Sequence, residues 1–60
     1  MNATEISVIA RNLFEAQGAK SIIEAAQKAA AFEKAGDEEQ AKTWRRVETA
    51  LLELRGPNAS

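Results

Sequence analysis

Residues 31–44, AFEKAGDEEQAKTW, contain a helix end and a helix start with almost nothing between them. Gly36 follows an alanine-rich run, and glycine just past a helix end takes a left-handed conformation at little steric cost. Asp37 then offers a side-chain oxygen to a new helix, with Gln40 three positions on as its capping partner. Glu38 and Glu39 place negative charge in the first turn, where the helix dipole favours it. So short a connection returns the chain antiparallel to itself.

The same punctuation recurs on either side. Gly18 closes an earlier segment, and Gly56-Pro57 closes the last one, since proline cannot continue a helix. No segment alternates apolar and polar residues as a half-buried strand would. The expectation is an all-α fold, an up-down-up three-helix bundle with helices over about 3–17, 20–35 and 38–55. One domain covers residues 1–60, of which 56–60 form a C-terminal tail.

Each helix carries an apolar stripe. In the first, Ile6, Ile9, Ala10, Leu13 and Ala16 follow helical spacing with Phe14 on the edge, and Asn2 with Glu5 (or, in competition, Thr4) caps its start. Val8 lies about 160° from the centre of that stripe. The second helix starts between Ala19 and Ser21. Ser21 with Glu24 reads as a capping box, and Gly18-Ala19 as the start of a helix one turn earlier. Its stripe is Ile22, Ala25, Ala26, Ala29 and Phe32, widened by Ile23 and Ala30. In the third, Ala41, Trp44, Val47, Leu51 and Leu54 face inward, Leu52 falls to the side, and Arg55 complements the dipole in the last turn. Trp44, the single tryptophan, is expected to anchor the core against Phe32 and Leu13; its alternative is an interface hot spot.

Composition bounds what such a bundle does. The chain has 60 residues and is 45% apolar, much of it alanine, with Phe14, Phe32 and Trp44 as the aromatics. A core this thin supplies roughly 3–5 kcal/mol, so small scaffolds lean on disulfides, metals or partners. Without Cys or His, disulfides are excluded and a structural zinc site is disfavoured. The missing His, Cys and Tyr also remove the commonest acid, base and nucleophilic groups, and Ser7, Ser21 and Ser60 have no imidazole to activate them. Adjacent Glu38 and Glu39 point apart on a helix and read as dipole charges rather than a catalytic pair. Di-metal bundles need Glu-x-x-His, so Glu24, Glu33 and Glu48 read as boundary residues. No catalytic residue, cofactor or metal is expected.

Eight Lys and Arg against nine Asp and Glu leave a net charge of −1, which argues against a nucleic-acid footprint. The i,i+4 pairs Glu24–Lys28, Glu38–Lys42 and Arg11–Glu15 read as solvated surface. Lys42, Arg45 and Arg46 form the one basic cluster; it reads as a patch for phosphate or an acidic partner, or as a helix exterior on which Arg45 pairs with Glu48 or stacks on a ring. The amino terminus lacks the basic and apolar regions of a signal peptide. The longest apolar run, Ala29-Ala30-Ala31-Phe32, falls far short of a membrane span. A cytoplasmic setting is the expectation.

The run Ala10…Leu13…Glu15-Ala16-Gln17-Gly18-Ala19-Lys20, then Ala26, Ala35-Gly36-Asp37 and Trp44-Arg45-Arg46-Val47…Ala50…Leu54, resembles a family of short uncharacterised bacterial proteins. The resemblance implies a helical fold and a bacterial cytoplasmic setting, but no activity. Gln17 stands where many members carry His. A looser similarity, in Ala26…Ala29…Glu33-Lys34-Ala35-Gly36-Asp37…Gln40-Ala41…Trp44…Ala50-Leu51, is to helical hairpins of the microtubule-interacting-and-trafficking and tetratricopeptide kind.

The function that follows is a small non-catalytic protein–protein interaction module, an accessory subunit, adaptor or regulator. Its partner is another protein or a second copy of the chain. The candidate partner-binding residues are Val8, Phe14, Ile23 and Leu52, with Lys42, Arg45 and Arg46. One alternative is a nucleic-acid or phosphate-binding regulator acting through Lys42, Arg45 and Arg46. Another is a designed or purely structural bundle, against which stand the indifferent helix formers Asn12, Thr43 and Thr49.

Overall fold

The computed structural model describes residues 2–56 as three α-helices: α1 (Ala3–Gln17), α2 (Lys20–Ala35) and α3 (Glu38–Arg55). Pro57 and the expected tail beyond Gly56 lie outside the described residues. All three helices pack on one another. The α2–α3 contact is the most extensive, α1–α3 is intermediate, and α1–α2 is slight. The molecule is therefore an α2–α3 hairpin with α1 laid mainly against α3.

Local chemistry explains the boundaries. The Asn2 side chain accepts from the Glu5 amide at 2.9 Å while the Asn2 amide donates to the Glu5 carboxylate at 3.2 Å. That is the expected capping box, and Thr4 plays no part in it. Asp37 accepts from the Gln40 amide at 3.2 Å and so opens α3. At the end of α2 the Asp37 amide donates to the Phe32 carbonyl, and the Gly36 amide to the Glu33 carbonyl. Gly36 sits between them at φ +82°, completing a Schellman motif.

The start of α2 differs from the expected capping box. Its N-cap is Ala19, whose side chain makes no capping bond. Ser21 is fully buried inside the first turn, and its hydroxyl donates backwards to the Gly18 carbonyl at 2.6 Å. A hydroxyl in the protein interior must be bonded, and the Gly18 carbonyl, which also accepts the Ser21 amide at 3.1 Å, lies behind it rather than ahead.

The core is a cluster of Ile6, Ala10, Ala25, Val47 and Leu51, with Ala29 and Ala41 also buried. Leu51 and Val47 are its largest fully buried side chains. This corrects the expectation for Trp44, which is half-buried and packs on the cluster from outside, as do Leu13, Ile9, Phe14, Ile22 and Ala50. Phe32 is half-buried and is not part of that group. The reason is volume. Alanines at 25, 29 and 41 allow the α2–α3 backbones to approach closely, which leaves no room for an indole between them. Ala16, Ile23, Ala30 and Leu54, assigned to the stripes or to their widened edge, are exposed, Ile23 at 59% and Leu54 at 40%.

Candidate interaction surface

Exposed apolar side chains occur on all three helices. Val8 on α1 is 52% exposed, Ile23 on α2 is 59%, and on α3 Leu52 is 39% exposed beside Leu54. Val8 and Ile23 stand out because each belongs to a helix whose opposite face is already committed to the core. Val8 borders a shallow hollow with Thr4, Glu5 and Ile9. Phe14 behaves differently from the other apolar candidates, being half-buried against the core cluster and contributing only an edge to the surface. Its position two turns beyond Ile6 and one beyond Ala10 keeps it on the inner side of α1.

An open groove of about 400 Å³ lies between α1 and α3. Ile6, Ala3 and Ala50 give it an apolar floor, and Arg45, Arg46 and Glu53 supply its charged rim. The sequence places Ile6 on the inward face of α1 but gives no sign of this groove, and it assigns Ala50 to no stripe. The groove's walls come from two different helices, α1 and α3.

The basic cluster is largely neutralised by its neighbours. Arg45 donates through Nε and Nη2 to both carboxylate oxygens of Glu33, at 3.2 and 3.0 Å, and through Nη1 to Glu48 at 3.0 Å. The Glu33 pair joins α2 to α3 across twelve residues of sequence in the fork geometry that guanidinium and carboxylate share. Those hydrogen bonds hold the Glu33 carboxyl below its ordinary value against an opposing effect of desolvation, with the charge of Arg45 adding the smallest contribution. Hydrogen bonding to Glu33 and then Glu48 raises the Arg45 guanidinium further. Lys42 lines a hollow with Glu33, Glu38 and Ala41, so its surroundings are acidic.

Arg45–Glu48 was one of the pairings read from the sequence; Glu33, twelve positions away, was not. Among the described residues these two are the ion pairs that close. Arg11–Glu15, Glu24–Lys28 and Glu38–Lys42 do not, in keeping with how little an exposed pair gains against side-chain entropy. Lys28 lies instead over the Trp44 ring, 5.0 Å from its centroid. The half-buried indole thus has its outer face covered by a cation from α2.

The chain matches no family model, no curated protein and no solved structure. The surface must therefore be read from its own residues. Among the described residues no group of three His, Cys, Asp or Glu side chains is placed to hold a metal ion. No helix among them is long and apolar enough to cross a membrane.

Proposed function

We propose that this protein is a small non-catalytic interaction module that presents helical surface to a protein partner. The observation that carries this reading is the exposure of Val8 and Ile23, more than half open to solvent on helices whose other faces are committed to the core. Burying one such side chain at an interface is worth about 1.5–3 kcal/mol, so a few of them suffice for a modest, reversible contact. The chain's want of imidazole, thiol and phenol supports binding over catalysis. The resemblance to short bacterial proteins belongs to this proposal as well, and with it a cytoplasmic setting.

The phosphate or nucleic-acid reading is the weaker one, because Arg45 is engaged by Glu33 and Glu48 and Lys42 stands among carboxylates. Arg46 alone is too little for a phosphate-tracking surface. The test is affinity capture from lysate of the cells that make the protein, run beside a Val8→Glu/Ile23→Glu variant. Exposed substitutions of this kind leave folding nearly unchanged. A bound protein lost with the variant is the expected result. The same bound proteins with both chains, or none with either, overturns the proposal.

A further inference from the structure

The two residues between α1 and α2 form a different kind of turn from the one between α2 and α3. Ala19 is already helical, at φ −62° and ψ −21°. The Gly18 amide still makes a helix-type bond to the Phe14 carbonyl at 2.7 Å. Only the torsions of Gly18, φ +63° and ψ −144°, depart from a helix, and they lie in a region essentially closed to residues with a Cβ. Rotation about one residue would therefore join α1 and α2 into a single helix spanning residues 3–35.

A second observation points the same way. The inward-facing residues of α1 and α2 remain in phase through the break. The buried positions Ile6, Ala10, Ser21, Ala25 and Ala29 are spaced 4-11-4-4. On one continuous helix they would fall within an arc of about 140°. A tight turn imposes no such phase. A straight α1–α2 helix would keep every buried position on one side.

We propose that the chain exchanges α1 between two copies, with Gly18 as the hinge. In the exchanged dimer each α1 occupies, on the partner, the seat it holds in the closed chain against Ala25, Val47 and Leu51. Exchange costs no core contact; it places Gly18 inside a helix, a cost of about 1 kcal/mol relative to alanine. Short hinge loops favour this route to a dimer. The inference stands apart from the proposed heterologous partner, since it uses the inner face of α1 and not Val8 or Ile23.

Gly18→Ala is a clean probe, because a Cβ at Gly18 would meet no other atom within 4 Å in the closed form. It disfavours only the turn and favours the continuous helix. The chain has no cysteine, so Ser7→Cys with Ala50→Cys, two residues lining the α1–α3 groove, gives one thiol pair for a short bismaleimide. In closed chains the reagent links a chain to itself; in the exchanged dimer it links two chains. The expected result is covalent dimer that increases with protein concentration. Adding Gly18→Ala should lower the dissociation constant by about tenfold or more while circular dichroism still shows a folded helical protein. Self-linked monomer alone at the highest attainable concentration of both chains overturns the exchange. So does a dimer by light scattering whose crosslinks stay within chains. An unfolded Gly18→Ala chain overturns it too, because the exchanged form supplies that variant with a folded state.

Discussion

The two junctions of this bundle are each built on a glycine, and they hold their helices in unlike ways. At Gly36 the backbone turns into the left-handed region, two amides close back on α2, and Asp37 caps α3, so one helix is stopped and the next started. Arg45 then ties the two helices together through Glu33. At Gly18 nothing starts α2 by a side chain; the helical ladder is broken at one residue and resumes in phase. A reverse turn with a stop and a start encodes an angle. A turn that consists only of a break encodes a hinge. The seams agree with this, since α2–α3 is the broadest contact and α1–α2 the slightest.

Four measurements bear on that contrast. The largest effect is expected from Leu51→Ala, because Leu51 is fully buried in the cluster that α1 shares with the hairpin. A loss of about 2–5 kcal/mol is expected from the removed contacts and residual cavity. Urea denaturation followed by circular dichroism should show one transition at a lower midpoint. Two separated transitions would mean that α1 and the hairpin are independent units.

Gly36→Ala should cost about 1–2 kcal/mol, the steric penalty of a Cβ in the left-handed region. Since the α2–α3 turn reverses through several bonded groups, the variant's mass by light scattering should stay that of the parent chain at equal concentration. A Gly36→Ala chain that dimerises as strongly as the Gly18→Ala chain would erase the distinction between the junctions.

Capping offers a paired comparison. Asp37→Ala removes the acceptor of the Gln40 amide and should destabilise by about 1 kcal/mol. Ala19→Ser, at the corresponding position of α2, should change stability by less than about 0.5 kcal/mol. Ala19 has helical torsions, and a serine there is not in the extended conformation from which a cap side chain reaches forward. Thermal midpoints of the two variants measure the difference directly. A large gain from Ala19→Ser would show that the first junction lacks only a cap.

The smallest effect concerns acid. The Glu33 carboxyl titrates lower when folded than its ordinary value of 4.5, so the unfolded chain takes up that proton first. The pair's contribution is then complete above the unfolded value and is lost as pH falls through the lowered folded one. Glu33→Gln should be slightly less stable than the parent chain at neutral pH and equal to it in acid well below 4.5. A difference that persists in acid would assign the effect to packing instead of charge.

Helix limits were legible because they rest on near neighbours. Asn2 with Glu5 and Asp37 with Gln40 lie three residues apart, and each cap forms as its spacing suggests. Ser21 shows the limit of such reasoning. The same hydroxyl that fits a capping box also fits an inward bond to the Gly18 carbonyl, and burial on α2 chose the second. Val8 was recognisable as exposed because it lies far round the helix from its stripe, and Leu52 because it falls to the side; Ile23, read both as widening the α2 stripe and as a surface candidate, is exposed. Leu54 was not recognisable as exposed, although it keeps the stripe spacing, because its end of α3 forms the wall of an open hollow with Ser7, Ala10 and Arg11 of α1. The α1–α3 groove and the Glu33–Arg45 fork each join separate helices, and no spacing within one helix reports on them.

By itself, then, the sequence determined three helices, their order and their ends, since capping and turn chemistry act over three or four residues. Only the tertiary structure decided that Leu51 and Val47, not Trp44, fill the centre, and that α1 leans on α3. Those outcomes depend on how closely whole helices approach. That approach is set by the sum of side-chain volumes across a seam, a quantity that no single stretch of chain contains.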